Sequence, residues 1–199
     1  MSSRLQAMLA KDPPKKPLVS LEAFVCDWKY RFTGDGPEAH RRDQVVEYTA
    51  QAVSFNEATA RACASRCSKG KCHNHQSRVP ENVRRLFCEL ITCEWPLANV
   101  KDFDTLYDWL DTIKPAGIGP VTLYDVATRI GAYLGYEVQS LYLHAGVHLG
   151  WARLHGKRMP LILRIPKDEL PLPLQSLPTD EIEDFLCCYR EMFPLGLIK

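Results

Sequence analysis

Residues 114–127 read Lys-Pro-Ala-Gly-Ile-Gly-Pro-Val-Thr-Leu-Tyr-Asp-Val-Ala and join two segments of amphipathic sequence, the second of which they begin. Pro115 prevents the first segment from continuing as a helix, and Pro120 is suited to the first turn of a second one. The apolar residues of each segment recur at helical spacing: Phe103, Leu106, Tyr107, Leu110 and Ile113 before the turn, and Leu123, Val126, Ala127, Ile130 and Leu134 after it. The sequence therefore predicts two helices joined by a tight turn, together spanning 102–134.

The two glycines of this turn are suited to binding a phosphate. Gly117 and Gly119 can adopt positive φ and let the backbone come close to a phosphate, while Ile118 returns between the helices. The free amides at the start of the second helix point outward, where they can meet an anion. Lys114 and Thr122 can add side-chain contacts. We therefore predict a helix–hairpin–helix element that binds DNA phosphates; the alternative is an ordinary corner that uses glycine because it is tight.

The remainder of the chain shows helical periodicity and no strand pairs, which predicts an all-α fold, a helical bundle that contains this element. Further helices are expected from Ser20 and at about 39–53, 56–66, 80–93, 141–154 and 180–192. Residues 158–178 hold five of the fourteen prolines. We expect them to form an extended segment before the last helix, because proline interrupts a regular helix.

Residues 1–18 are polar and end in a proline-rich run, so we predict a mobile N-terminal arm followed by a single helical domain over 19–199. The sequence contains neither a signal peptide nor an apolar run near the roughly 20 residues that cross a bilayer. We expect a cytoplasmic protein without a membrane partner. Its eight cysteines are then expected to be reduced thiols.

A formal net charge of +1 does not by itself indicate a nucleic-acid partner, but the charge is distributed unevenly. The stretch 61–85 holds seven Lys and Arg residues and two histidines, against Glu81 as its one acidic residue. A charge run is often only a solvated surface; this density also fits a basic patch for DNA. The candidate DNA contacts within it are Lys69, Lys71, Gln76 and Arg78.

The hairpin region resembles a known family. Residues 114–127, followed by Leu141-Tyr-Leu-His-Ala-Gly-Val147, look like the hairpin and the short stretch after it in the helix–hairpin–helix DNA glycosylases, the endonuclease-III-like enzymes. The resemblance covers about 50 of the 199 residues, at 102–154. It implies a protein that holds duplex DNA by its phosphates and excises a damaged or modified base.

This sequence departs from the family at the catalytic positions. Tyr142 stands where the family has its catalytic Asp, and a phenol with a pKa near 10 does not supply a carboxylate at neutral pH. Val121 stands where the bifunctional members have a Schiff-base lysine, so lyase activity through that position is not expected. No cysteine lies between Cys93 and Cys187, so the iron–sulfur run of some members is absent. Tyr142 stays a candidate for lining a base pocket.

A second group of candidates lies in the loop that contains Cys72, His73 and His75. His73 and His75 can act as acids or bases near neutral pH. Cys63, Cys67, Cys72 and His75 could bind a structural zinc ion, although their spacing matches none of the common zinc patterns. No other cofactor is expected. A third interpretation is a polar surface loop.

Base excision needs an acid for the leaving group or a carboxylate to stabilise a cationic sugar. The catalytic candidates are Asp125, His73, His75 and His144. Asp125 also has a structural explanation as an exposed helix ion pair with Arg129. The leading hypothesis is a glycosylase-like enzyme, one version of which acts on a modified base in invading phage DNA. The alternatives are a non-catalytic DNA-binding module and a zinc-stabilised interaction protein.

Overall fold

The computed structural model describes residue 14 and residues 18–32, 44–73, 76–95, 99–157 and 164–198. The described chain is mostly helical, with one two-stranded sheet, which confirms the all-α prediction. Every helix within these ranges is too short or too polar to cross a lipid bilayer. In chain order the elements are α1 (Leu21–Phe32), α2 (Gln44–Ala50), α3 (Phe55–Ala64), α4 (Glu81–Glu94), α5 (Phe103–Ile113), α6 (Pro120–Leu134), β1 (Ser140–Tyr142), α7 (Ala145–Leu154), β2 (Arg164–Pro166), α8 (Leu172–Gln175) and α9 (Thr179–Tyr189), with 3-10 turns at Gln76–Arg78 and Lys167–Glu169.

The chain forms two compact units. The central unit is Arg42–Val138, and the terminal unit combines Met1–Arg41 with Gln139–Lys199. The predicted arm, residues 1–18, lies outside the described residues except for Pro14 and Leu18. The single domain over 19–199 stays a prediction.

In the central unit, α6 packs against α2, α3 and α5, while α4 packs against α3 and α5. The apolar stripe predicted for α6 is buried except at its end, where Leu134 is partly exposed, and Leu123, Ala127 and Ile130 have no exposed surface. Burial of such side chains stabilises a fold by about 1.5–3 kcal/mol each. Helix α5 begins at a capping box in which the Asp102 carboxylate accepts a hydrogen bond from the Thr105 amide at 2.8 Å. The helices on both sides of residues 114–119 are therefore held by the core of this unit.

In the terminal unit, α7 and β1 pack against α9, and α1 packs against α8. The sheet is antiparallel, with Leu141 opposite Ile165. The core is aromatic: the rings of Phe24, Trp28, Phe185, Tyr189 and Phe193 meet mostly edge-on or tilted. As predicted, Ser20 caps α1, since its hydroxyl accepts a hydrogen bond from the Ala23 amide at 3.2 Å.

Two expectations for this part of the chain are wrong. The helix predicted at 141–154 begins only at Ala145, and residues 140–142 form a strand although no strand was expected. All three strand residues are buried, and a short buried strand has the same apolar pattern as a piece of buried helix. The proline-rich segment is also less extended than expected, because β2 is followed by a 3-10 turn and by α8, which begins next to Pro171.

The contact between α7 and α9 gives a first test. A Cβ added at Gly150 would lie 2.3 Å from the Leu186 carbonyl oxygen, so the helices could not keep their separation. We expect Gly150→Ala to lower the free energy of unfolding by about 2 kcal/mol or more, as overpacking does. Urea unfolding followed by tryptophan fluorescence measures this change.

Gly119→Ala is the matched control. An added Cβ there meets no heavy atom within 4 Å, so we expect a loss below about 1 kcal/mol. Equal stability of Gly150→Ala and the wild type would contradict this packing of α7 on α9.

Candidate functional site

The turn between α5 and α6, residues 114–119, is hereafter the hairpin turn. Helix α5 ends at Ile113, and its C-cap residue Lys114 has an extended conformation. Gly117 has φ +97°, a value that L side chains rarely adopt. Ile118 is 5% exposed, and its amide donates to the Pro115 carbonyl at 3.2 Å. Ile118 therefore lies in the inward position predicted for it. Gly119 has φ −83°, which any residue can adopt. Of the two glycines, only Gly117 therefore has a backbone conformation that requires glycine.

The start of α6 presents backbone donors at an exposed position. Gly119 is the N-cap residue and supplies no side-chain cap, and Pro120 is the first helical residue. The first amide bonded within the helix is that of Leu123, which donates to the Gly119 carbonyl at 2.9 Å. The amides of Val121 and Thr122 therefore precede the first hydrogen bond of the helix, at the positive end of its dipole. This arrangement suits an anion.

The side chains predicted to assist at the hairpin turn are less favourably placed. Thr122 is only 6% exposed, so its hydroxyl has little surface to offer a phosphate. The Lys114 ammonium forms an ion pair with Asp111. The hydrogen-bond donors that the turn offers to an anion are therefore its backbone amides, and not these two side chains.

The hairpin turn lies beside the first turn of α4. A Cβ on Gly117 would be 3.4 Å from a methyl group of Val83. The 3-10 turn that leads into α4 exposes Arg78, and the loop before it exposes Lys69 and Lys71. Three of the predicted DNA contacts are therefore basic side chains on the surface of the same unit as the hairpin turn. The fourth, Gln76, is fully buried and is not available to read a base edge.

Arg129 is the largest of the fully buried side chains, so the expectation of an exposed arginine at this position is wrong. Its Nη1 donates to the Ala62 carbonyl at 3.2 Å and to the Ser65 hydroxyl at 2.9 Å. Its Nη2 donates to Gln76 Oε1 at 3.1 Å. The guanidinium thus lies at the carboxyl end of α3, where the helix dipole favours a cation.

A second buried arginine holds the same helix end. Arg84 donates from Nη1 to the Ala64 carbonyl at 2.6 Å, and the same nitrogen lies 3.8 Å from Cys72 Sγ. Helix α3 ends at Ser65 in the left-handed region, at φ 55°. Two guanidinium groups, from α4 and α6, therefore fix the point from which the loop of Lys69, Lys71 and His73 departs.

Three of the predicted site residues meet at α6. Gln76 Nε2 donates to Asp125 Oδ2, although the two residues are 49 positions apart. His73 Nδ1 lies 4.0 Å from the same oxygen. The imidazole and carboxyl side chains are 14% and 17% exposed. His75 lies outside the described residues.

His144 and Tyr142 belong to the terminal unit. Tyr142 is 2% exposed in β1, where Arg164 Nη1 lies 3.5 Å from its hydroxyl oxygen. It is a core residue of this unit, and its predicted place in a base pocket has almost no accessible surface. His144 Nε2 lies 2.8 Å from Glu183 Oε1. Glu183 was not predicted, because within α9 it resembles the other acidic residues of the first turns.

The predicted zinc ligands are Cys63, Cys67, Cys72 and His75, the last of which lies outside the described residues. The described residues, which include Cys63, Cys67 and Cys72, contain no group of three or more potential ligands arranged to hold a metal ion. Contact with the Cys88 thiol, and then burial, raise the pKa of Cys63 well above its usual value. The same contact lowers the pKa of Cys88 to about 7. Because metals bind thiolates, Cys63 is poorly suited to be a ligand.

Comparison with models of known protein families, with curated proteins and with solved structures gives no match to this chain.

The Arg129 contacts give a second test. Arg129→Met keeps much of the side-chain volume but leaves the buried Ser65 hydroxyl and Gln76 amide without this donor. We expect the free energy of unfolding to fall by about 3 kcal/mol or more. Denaturant unfolding measures the change.

Arg85→Met is its control. The Arg85 side chain is 77% exposed and lies 3.7 Å from Glu89, so we expect a change below about 0.5 kcal/mol. Similar losses in the two variants would contradict the special role of Arg129.

Proposed function

We propose that this protein binds duplex DNA through its phosphates, at the hairpin turn and the start of α6. One observation carries the proposal: Gly117 at φ +97° and the buried Ile118 turn the chain so that the exposed Gly119 begins a helix with free amides. A helix start of this kind binds an anion by hydrogen bonds and by the helix dipole. The resemblance of residues 102–154 to helix–hairpin–helix glycosylases supports the same proposal.

The exposed basic side chains of the central unit are consistent with a polyanion as partner. Lys69, Lys71 and Arg78 are exposed in the central unit, and the segment that carries them is strongly basic although the whole chain is nearly neutral. Contacts of this kind release counterions from DNA, so the affinity is expected to fall steeply with salt concentration. Neither amides nor lysines distinguish bases, so the proposed binding is independent of sequence.

A second candidate function is the excision of a damaged or modified base. The observation in its favour is the contact between His73 and Asp125, two titratable side chains that are both partly exposed. With Val121 at the position of the Schiff-base lysine, we propose hydrolysis of the N-glycosidic bond without strand cleavage. A target in foreign DNA is one form of this proposal.

A charge series at Gly119 tests the DNA-binding proposal. No heavy atom lies within 4 Å of an added Cβ there, so the fold should tolerate any side chain. We expect Gly119→Glu to weaken binding to a short duplex at least about tenfold at low salt, which corresponds to about 1.4 kcal/mol. Gly119→Lys should bind as tightly as the wild type or more tightly. Fluorescence anisotropy across a salt series measures both.

Gly119→Ala separates the effect of charge from that of the added side chain, and thermal unfolding confirms that each variant folds. The proposal is overturned if the wild type shows no salt-sensitive binding, or if the Glu and Lys variants bind equally well.

A further inference from the structure

We infer that the duplex runs from the hairpin turn across the start of α4 to the loop of Lys69 and Lys71, and that Asp111 on α5 bounds this surface and weakens its affinity for DNA. This inference rests on the proposed function, because the duplex held at the hairpin turn is its starting point. It adds the direction in which the duplex leaves the turn and a residue that acts against binding. The contacts of the hairpin turn with its neighbours, and the charges on its two sides, support it.

The start of α4 lies directly beside the hairpin turn. A Cβ on Gly117 would be 3.4 Å from a methyl group of Val83, and Val83 belongs to the first turn of α4, where its amide donates to the Pro80 carbonyl at 3.1 Å. The side chain of Arg78, two residues before Pro80, is exposed. A duplex that lies over the start of α4 therefore meets a cation there.

The loop that precedes α4 is fastened to α6. The Gln76 amide donates to the Asp125 carboxylate, which belongs to the second turn of α6. The loop is also closed on itself, since the Cys67 amide donates to the Lys71 carbonyl at 3.1 Å. Its lysines, Lys69 and Lys71, are exposed. They are therefore carried by a loop that is tied to the same helix whose start forms the proposed phosphate site.

The α5 side of the hairpin turn has the opposite charge. Helix α5 contains three acidic residues, Asp104, Asp108 and Asp111, and no basic residue. The carboxyl end of α5, which is the negative end of its dipole, also lies at the turn. A phosphate is repelled on this side, so the duplex is expected to leave the turn on the side of α4.

Asp111 acts on the hairpin turn in two ways. Its carboxylate forms an ion pair with the Lys114 ammonium, so the lysine that begins the turn is already neutralised. Its own charge lies about 5 Å before Lys114 along the axis of α5, and charges act over about 10 Å at 0.1 M salt. The two side chains are 31% and 49% exposed. An ion pair of this kind adds little to stability, so Asp111 can be changed without unfolding the protein.

Fluorescence anisotropy with a short undamaged duplex over a salt series tests the role of Asp111. Asp111→Asn removes one negative charge and releases Lys114 for a phosphate. We expect the affinity at low salt to rise about threefold or more, and the slope of log affinity against log salt to become steeper by about 0.9.

Glu94→Gln is the matched control for this variant. It removes the same charge from an exposed position in the same unit. Glu94 is the last residue of α4 and lies eleven residues after Val83, which is a rise of about 16 Å. We expect its affinity for the duplex to stay within about twofold of the wild type, because salt screens a charge at that distance.

Lys71→Gln and Lys101→Gln test the direction of the duplex in the same assay. Both lysines are exposed, but Lys101 precedes α5, at the end of that helix far from the hairpin turn. We expect Lys71→Gln to lower the affinity about threefold or more and to make the salt slope shallower by about 0.9. Arg78→Gln should behave in the same way, while Lys101→Gln should stay within about twofold of the wild type.

The outcomes separate this inference from the proposal on which it rests. If the wild type does not bind duplex, both fail. If the wild type binds but Lys71→Gln and Arg78→Gln lose no more affinity than Lys101→Gln, the direction is overturned and DNA binding stands. If Asp111→Asn binds no more tightly than Glu94→Gln, the role of Asp111 is overturned. Thermal unfolding confirms that each variant folds.

Discussion

The central unit depends on one buried positive charge. Removing a guanidinium from water is costly unless hydrogen bonds replace its hydration, and Arg129 finds them at the Ala62 carbonyl, the Ser65 hydroxyl and the Gln76 amide. These groups belong to the end of α3, to the left-handed residue after it and to the 3-10 turn before α4. One side chain on α6 therefore holds the end of α3 and the 3-10 turn before α4 together. The loop with His73 lies between these two segments and is held at both of its ends.

Helix α6 also connects Arg129 to the proposed binding surface. It begins at the hairpin turn, presents Asp125 in its second turn and Arg129 one turn later. A helix in a packed core is a stiff element with a fixed rise per residue. The amides at its start, the contact of Asp125 with His73 and the capping of α3 are consequently held in constant relation to one another. The proposed function uses the exposed end of this helix, and its buried middle provides the stability.

Local patterns in the sequence predicted much of this arrangement, and long-range contacts explain what they missed. The two helices around residues 114–119, the need for glycine at Gly117 and the inward position of Ile118 follow from spacing and backbone sterics. His73, Gln76 and Asp125 could be named as candidates by residue type, but their meeting depends on tertiary packing. The burial of Arg129 was missed because an acid and an arginine four residues apart on a helix look like a surface pair. The strand at Ser140–Tyr142 was missed because a buried three-residue strand has no periodicity of its own. Glu183 was not predicted because its partner His144 is distant in sequence.

We propose that DNA phosphates meet the backbone at the start of α6. Titration of ¹⁵N-labelled protein with a short undamaged duplex at low salt tests this proposal, because each backbone amide reports its own environment. We expect the largest shifts at the amides of Gly117, Gly119, Val121 and Thr122, and we expect them to fade as salt is added. Salt-sensitive shifts confined to other surfaces, with these four amides unchanged at saturation, would contradict the proposal.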